Sequence, residues 1–388
     1  RMKTVCILSL SRLSIDPRVR RQCKTFEELG YRVIVACLDS DQDNFLNLTD
    51  FKLLPERKFS FTSKIKYALR LLPSNLHSKL VYHIFWSEPY NQTIWKIVQH
   101  IQAELYIAND WPVLPFVSRL AEKNNAKFLY DSHELSYREK NDSLLWRVVF
   151  KKYIVSLESR YIPSADFIST VSPSIANELK QKYNISKPIY LIRNIPFYEA
   201  SKYRSVKPPI NVLYHGAFNE DRGLEMLIES VQYWKKEYHL TLRGTGNPKY
   251  CLKLINLIQK FSLQERISLK SSVPFEKIII ETNKADIGIL PHPPFKNENL
   301  VCLPNKFFEY IMAGLAIVST PLNDVQELFT KYDLGKIFSE TTPLGIAKTL
   351  NELDFEEIDR YKEKSLHAAK ELCWENEKYF FSKLIQLI

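Results

Sequence analysis

Three stretches in the second half of the chain carry residue types and spacings that suit an anionic ligand. In Tyr214-His215-Gly216-Ala217-Phe218-Asn219-Glu220-Asp221-Arg222-Gly223-Leu224-Glu225, a strand pattern ends at His215, Gly216 permits close backbone approach, and Arg222 stands where a helical pattern begins. A helix start with a nearby arginine is a natural diphosphate site, because free N–H groups point outward and the guanidinium fork matches phosphate oxygens. A merely solvated helix start would read the same on this segment alone. Leu242-Arg243-Gly244-Thr245-Gly246-Asn247-Pro248 repeats the strand, glycine turn and helix, a weak signal by itself. In Leu303-Pro304-Asn305-Lys306-Phe307-Phe308-Glu309, continuing to Gly314 and a strand, the helix opens at Pro304 and places Lys306 and Glu309 three apart on one face. A carboxylate there can accept both hydroxyls of a ribose, while Lys306 and the first-turn N–H groups can face phosphate. The functionless alternative is an exposed Lys–Glu pair worth a few tenths of a kcal/mol.

These residues need elements to hold them. Short apolar, β-branched runs alternate with amphipathic stretches, the pattern of βα units and parallel sheets. Strands are expected in the first half at Thr4–Leu10, Tyr31–Leu38, Leu105–Ala108, Lys127–Tyr130, Phe167–Val171 and Ile189–Ile192. In the second half they are expected at Asn211–Tyr214, Leu240–Arg243, Ile267–Leu269, Ile287–Leu290, Ile317–Ser319 and Lys336–Phe338. Asp16 as N-cap, Pro17 at the first helical position and Gly30 as stop punctuate the first helix. Of nine glycines all but Gly30 fall at or after Gly216, and polar, Pro-rich sequence runs from Ile195-Pro196 to Lys207-Pro208-Pro209. A boundary is expected there, giving domains at 1–200 and 206–370 and a C-terminal helix at 371–388 that packs on either one.

Composition narrows the partners. Hydrophobic residues at 45% and charged residues at 25% describe a globular chain with sizeable cores. The formal charge of +10 favours anionic partners without separating nucleic acid, phosphorylated substrates and lipid headgroups. The six cysteines lack metal-ligand or disulfide-framework spacing, so a reducing, cytoplasmic setting is expected. The opening apolar run is brief and reads as a buried strand, and no run of about 18 apolar residues suggests a spanning helix.

Taken together, these pieces resemble the retaining GT-B glycosyltransferases of family 4, and the resemblance runs over nearly the whole chain. In the first half it is carried by Asp16-Pro17-Arg18-Val19-Arg20-Arg21, Asn109-Asp110-Trp111-Pro112, Tyr130-Asp131-Ser132-His133-Glu134, and Ala165-Asp166 through Ser172 to Asn194. In the second it is carried by Gly216 with Arg222-Gly223, Gly244 to Gly246, Ala285-Asp286-Ile287-Gly288, and Lys306 to Gly314. The resemblance implies two Rossmann-like α/β domains facing across a cleft, with a final helix that can cross back to the first. The implied reaction moves a hexose-type sugar from a UDP- or GDP-linked donor to a glycan or lipid-linked acceptor, without metal or other cofactor and without nucleic acid. The setting it suggests is bacterial surface polysaccharide synthesis.

Residue by residue, Glu309 matches the second glutamate of the family's E-x7-E motif, which binds the nucleotide ribose. Arg222 matches the basic residue that neutralises the diphosphate, and His133 the histidine that contacts the donor sugar or orients the acceptor. The expected site is therefore His133, Arg222 and Lys306 as catalytic groups. Gly216, Arg222, Gly246, Asn305, Lys306 and Glu309 are expected to hold the donor nucleotide, and Asp16, Asp110 and Glu134 to lie on the acceptor side. Two positions depart from the pattern: the first glutamate of the motif falls on Val301, and the arginine after the Gly216-type glycine falls on Ala217. Lys306 is expected to restore the lost charge, and backbone amides of Leu303 to Asn305, or Glu298, to replace the lost carboxylate. These departures sustain competing readings: a non-catalytic nucleotide-sugar-binding or regulatory partner, or a GT-B sugar epimerase.

Other patterns are weaker. Asp39-Ser40-Asp41-Gln42-Asp43 imitates the D-x-D of metal-dependent transferases, against the plainer reading of a solvated loop. The turn Ser9-Leu10-Ser11-Arg12-Leu13 has no glycine, which excludes a dinucleotide phosphate loop. His133 with Glu134 has no third ligand at zinc spacing. The basic, aromatic stretches Ser63–Leu72 and Leu144–Tyr153 suit either an anionic membrane surface or a helix packed on a sheet.

Overall fold

Val5–Leu8, Val33–Cys37 and Leu105–Asn109 are buried along their whole length, as strands covered on both faces must be. The computed structural model describes residues 2–40, 45–47, 49–57, 61–71, 78–138, 146–293 and 303–388. It divides into two units, Arg1–Arg193 with Lys378–Ile388, and Asn194–Glu377.

The first unit holds β1 (Thr4–Leu8), β2 (Arg32–Cys37), β3 (Thr49–Leu53), β4 (Leu105–Asn109), β5 (Lys127–Ser132), β6 (Phe167–Thr170) and β7 (Ile189–Leu191). They form one parallel sheet in the order β3-β2-β1-β4-β5-β6-β7. The order reverses between β1 and β4, so the loops at their carboxyl ends diverge and leave a crevice, where open α/β sheets take their ligands. Between β1 and β2, the helix Pro17–Glu28 is capped by Asp16, whose side chain accepts from the N–H groups of Arg18 and Val19. Phe26 at the end of that helix is fully buried and meets Phe381 edge-on at 5.3 Å. Lys378 Nζ lies 2.6 Å from Glu28. These contacts tie the end of the chain to the first unit. In place of one final helix there are two short ones, Trp374–Glu377 and Tyr379–Ile385, and the division between units falls at the break.

The second unit repeats the design with β8 (Ile210–His215), β9 (Tyr238–Arg243), β10 (Ile267–Lys270), β11 (Ile287–Leu290), β12 (Ala316–Ser319) and β13 (Gly335–Ile337). All are parallel in the order β10-β9-β8-β11-β12-β13, with the reversal between β8 and β11. Val212 and Tyr214 look into one apolar core and Leu213 into the other, as alternation along a strand requires. At the start of β11, Asp286 accepts a 2.8 Å bond from Lys362 of the long helix Phe355–Glu371, and both side chains are buried.

The basic, aromatic stretches are helical where described. In the helix Phe61–Leu71, Tyr67 lies under the Arg57 guanidinium at 4.0 Å and against Phe150, and Arg70 donates to Ser87. Tyr67 and Arg70 are thus engaged by the unit itself, while Lys66 and Leu69 remain exposed. Leu72, Leu144 and Leu145, and the Lys64 side chain, lie outside the described residues. The second stretch continues into the helix Lys151–Tyr161, which buries Tyr153 and Ile154. Asp39 accepts from the N–H and hydroxyl of Ser14, an ordinary loop contact; Asp41 and Asp43 lie outside the described residues. Among the described residues no helix is long and apolar enough to cross a membrane.

Candidate active site

In the second unit, both loops at the strand-order reversal are built by close approach. Gly223 has φ +72, and a Cβ on it would stand 2.0 Å from the carbonyl oxygen of Pro291, so the loop after β8 lies directly on the loop after β11. Gly216 has φ +129, and a Cβ there would meet Lys306 Nζ at 3.0 Å. The Lys306 ammonium therefore occupies the space above Gly216, 3.9 Å from the centre of the Tyr214 ring. Lys306 belongs to the first turn of the helix Asn305–Met312, which starts after Pro304 without a side-chain cap. Asn305 is exposed at that end. Arg222, about a third exposed, stands 3.8 Å from Asp221, its one ion pair among the described residues.

Glu309, one turn into that helix, places Oε2 2.7 Å from Nε2 of His215, the last residue of β8. The His215 ring stacks on Tyr310 at 5.1 Å and turns Nδ1 toward the Thr282 hydroxyl at 3.4 Å. The tyrosine hydroxyl accepts from His215 N–H. Gly246 packs against the backbone of Phe218, so it shapes the loop from behind. Gly216, Arg222, Asn305, Lys306 and Glu309 thus gather at the carboxyl ends of β8 and β11. The cluster brings together two cations, a helix start and, one turn on, a carboxylate 2.7 Å from a histidine nitrogen, groups that can receive an anion. Val301 and Glu298 lie outside the described residues.

In the first unit, His133 follows β5 and Asp110 follows β4. Asp110 adopts φ 66, accepts from His133 N–H at 2.8 Å, and faces His133 Nδ1 at 3.0 Å. The other ring nitrogen meets Asn109 Oδ1 at 3.0 Å and Asp131 Oδ2 at 3.2 Å. Burial works against a charged imidazole, but Asp110 and Asp131 outweigh it and raise the His133 pKa to about 10. Asp131 is fully buried beneath, in a bidentate pair with Arg18 at 2.7 and 2.8 Å and further bonds from Gln22 and Ser169. Burial alone would raise its pKa; Arg18 and His133 hold it far below the usual carboxylate range. Asp16 accepts from Ser11 at 2.6 Å while capping its helix, a positioning role for the loop after β1. The Glu134 side chain is exposed beside this cluster. Arg18, Gln22, Asn109 and Asp131 complete the network; the only sequence signal for them was the presence of Arg18, Asn109 and Asp131 within the stretches that carry the resemblance.

Residues 209–353 match the family described as Glycosyl transferases group 1. Solved structures share the fold over the whole length. A sucrose-phosphate synthase from Thermosynechococcus elongatus aligns over 99% of this chain and 98% of its own at 15% identity, with a TM-score of 0.73. Anabaena HepE in complex with UDP-glucose aligns over 99% and 100% at 12% identity, with a TM-score of 0.70. WaaG, a glycosyltransferase involved in lipopolysaccharide biosynthesis, aligns over 98% and 99% at 13% identity, with a TM-score of 0.69. At these identities the likeness is one of fold. No curated protein matches the chain by sequence. Fold and family match define a glycosyltransferase of the GT-B type. Its second unit carries the glycosyl transferases group 1 domain.

Proposed function

We propose that the chain is a retaining, metal-independent glycosyltransferase that moves a hexose-type sugar from a UDP- or GDP-linked donor to a glycan or lipid-linked acceptor of a bacterial surface polysaccharide. The observation that carries this reading is the grouping of Arg222, Lys306 and the start of the helix Asn305–Met312 around Gly216, with Glu309 one turn on. The structures of HepE with UDP and with UDP-glucose, and of WaaG from lipopolysaccharide biosynthesis, support the choice of donor and acceptor classes.

In this reading Glu309 accepts from the ribose hydroxyls, and Arg222 and Lys306 bind the diphosphate. The bond between the anomeric carbon and the phosphate oxygen breaks with its electron pair on the diphosphate, whose growing charge the two cations stabilise. The acceptor oxygen bonds to the anomeric carbon from the same face, and its proton passes to the departing diphosphate. His133 and Asp110 serve the acceptor side. The exposed Lys66 and Leu69 suit an anionic leaflet carrying a lipid-linked acceptor, with salt weakening the contact.

Thermal-shift measurements with UDP, GDP, ADP and their sugars test the donor reading, since a ligand specific for the folded state raises its melting temperature. One nucleotide and its sugar should stabilise the chain well above the others. No stabilisation by any of them at millimolar concentration discards the reading.

A further inference from the structure

His292 stands two residues beyond β11, at the carboxyl end of the strand that borders the reversal point in the second unit. It is fully buried, and among the described residues neither ring nitrogen has a hydrogen-bond partner. A neutral imidazole carries one donor and one acceptor, and leaving either unmet in a protein interior is costly, so such a group calls for an explanation. Its surroundings supply one. The backbone on both sides of it lies under the loop that carries Arg222, since a Cβ on Gly223 would meet Pro291 O at 2.0 Å and Pro293 Cδ at 3.3 Å. The two flanking prolines restrict the backbone on either side of it. Burial first, then the charges of Lys306 and Arg222, push its pKa well below the ordinary histidine value. A third cation beside those two is disfavoured, so the ring offers an N–H without a charge.

We propose that His292 is a third phosphate-binding group of the donor site, donating a hydrogen bond to a diphosphate oxygen that Arg222 and Lys306 also hold. The proposal rests on the donor reading above. The flexible ends of Lys306 and Arg222 turn to the incoming phosphate and open the way to the ring. The pair of cations supplies attraction from any direction, whereas the fixed imidazole supplies a single direction. It therefore sets the register of the diphosphate against the ribose at Glu309.

Calorimetric titration of the whole chain with UDP, GDP and ADP identifies the nucleoside diphosphate bound best, and the matching nucleoside is titrated beside it. Against that pair, His292→Leu and His292→Phe should weaken diphosphate binding tenfold or more while changing nucleoside binding less than twofold. His292→Gln, which keeps an N–H donor, should recover much of the loss. Diphosphate affinity within twofold of wild type in folded His292→Leu or His292→Phe overturns the proposal, as does an equal loss for nucleoside and diphosphate. Should the apolar variants fail to fold, nitrogen-15 NMR of the wild-type His292 ring decides: its resonances must shift with the diphosphate and stay still with the nucleoside. A wild type that binds none of the three diphosphates overturns the donor reading and this proposal together. Normal wild-type binding with indifferent variants overturns the role of His292 alone.

Discussion

Glu309 and His215 meet with Oε2 2.7 Å from Nε2, which fixes a helix carboxylate on the last residue of the neighbouring strand. Losing a charge-assisted hydrogen bond costs roughly 1.5–3 kcal/mol, so Glu309→Gln and Arg222→Ala should each lower turnover roughly ten- to a hundredfold with the melting temperature little changed. Near-normal turnover by both variants would discard the assignment of the donor site.

Gly223→Ala should be destabilising in a way that no surface substitution is. It forces a Cβ into a left-handed backbone at φ +72 and onto the Pro291 carbonyl. Strain of about 1–3 kcal/mol should appear in urea unfolding, accompanied by weaker nucleotide binding because the Arg222 loop is displaced. An alanine variant as stable as wild type would contradict the described loop contact.

The His133 cluster makes stability depend on pH in a definite direction. The folded pKa of about 10 lies above the unfolded value near 6.5, so its contribution is fully present below the latter and is lost as pH rises through the former. Wild type should therefore lose stability between about pH 6.5 and 10 relative to His133→Asn, as read by urea unfolding at both ends. Asp131 works oppositely, its depressed pKa giving stability that disappears as acid approaches and passes its unfolded value near 3.8. Parallel curves for wild type and His133→Asn across the alkaline range would show that the imidazole is not charged in the fold.

Lys362→Met removes the partner of a buried carboxylate and should cost about 3–5 kcal/mol, because Asp286 is left charged in the interior. The double variant Lys362→Met, Asp286→Asn should recover part of that loss. Chemical unfolding of the singles and the double gives the comparison, and a harmless Lys362→Met would mean that the pair is dispensable.

The proposed donor site stabilises the leaving group with cationic side chains and a helix start, so transfer should continue in excess EDTA. Abolition by EDTA with rescue by manganese would transfer the chemistry to the acidic loop that begins at Asp39.

The strand and helix rhythm was plain in the sequence because strands such as β1, β4 and β11 are continuous apolar runs buried on both faces. The strand β3 leaves no apolar signal in the sequence, because Thr49-Asp50-Phe51-Lys52-Leu53 lies at the sheet edge with its charged residues exposed. Lys306 and Glu309 could be read because three residues along one helix are neighbours whatever the tertiary fold. The partnership of Glu309 with His215, the bond of Arg18 to Asp131, and the burial of His292 join residues distant in sequence. Spacing carries no record of such pairs.

The residues 378–388 complete the first unit, yet the 184 residues of the second lie between them and position 193. During synthesis at roughly 5–20 residues per second, about 10–40 s pass after the last strand of the first unit leaves the ribosome before Phe381 reaches Phe26. For that interval the nascent first unit presents an open aromatic socket, while the second can already close around its own two cores. Birth order and folding order are thus inverted in this chain: the unit begun first is the one finished last.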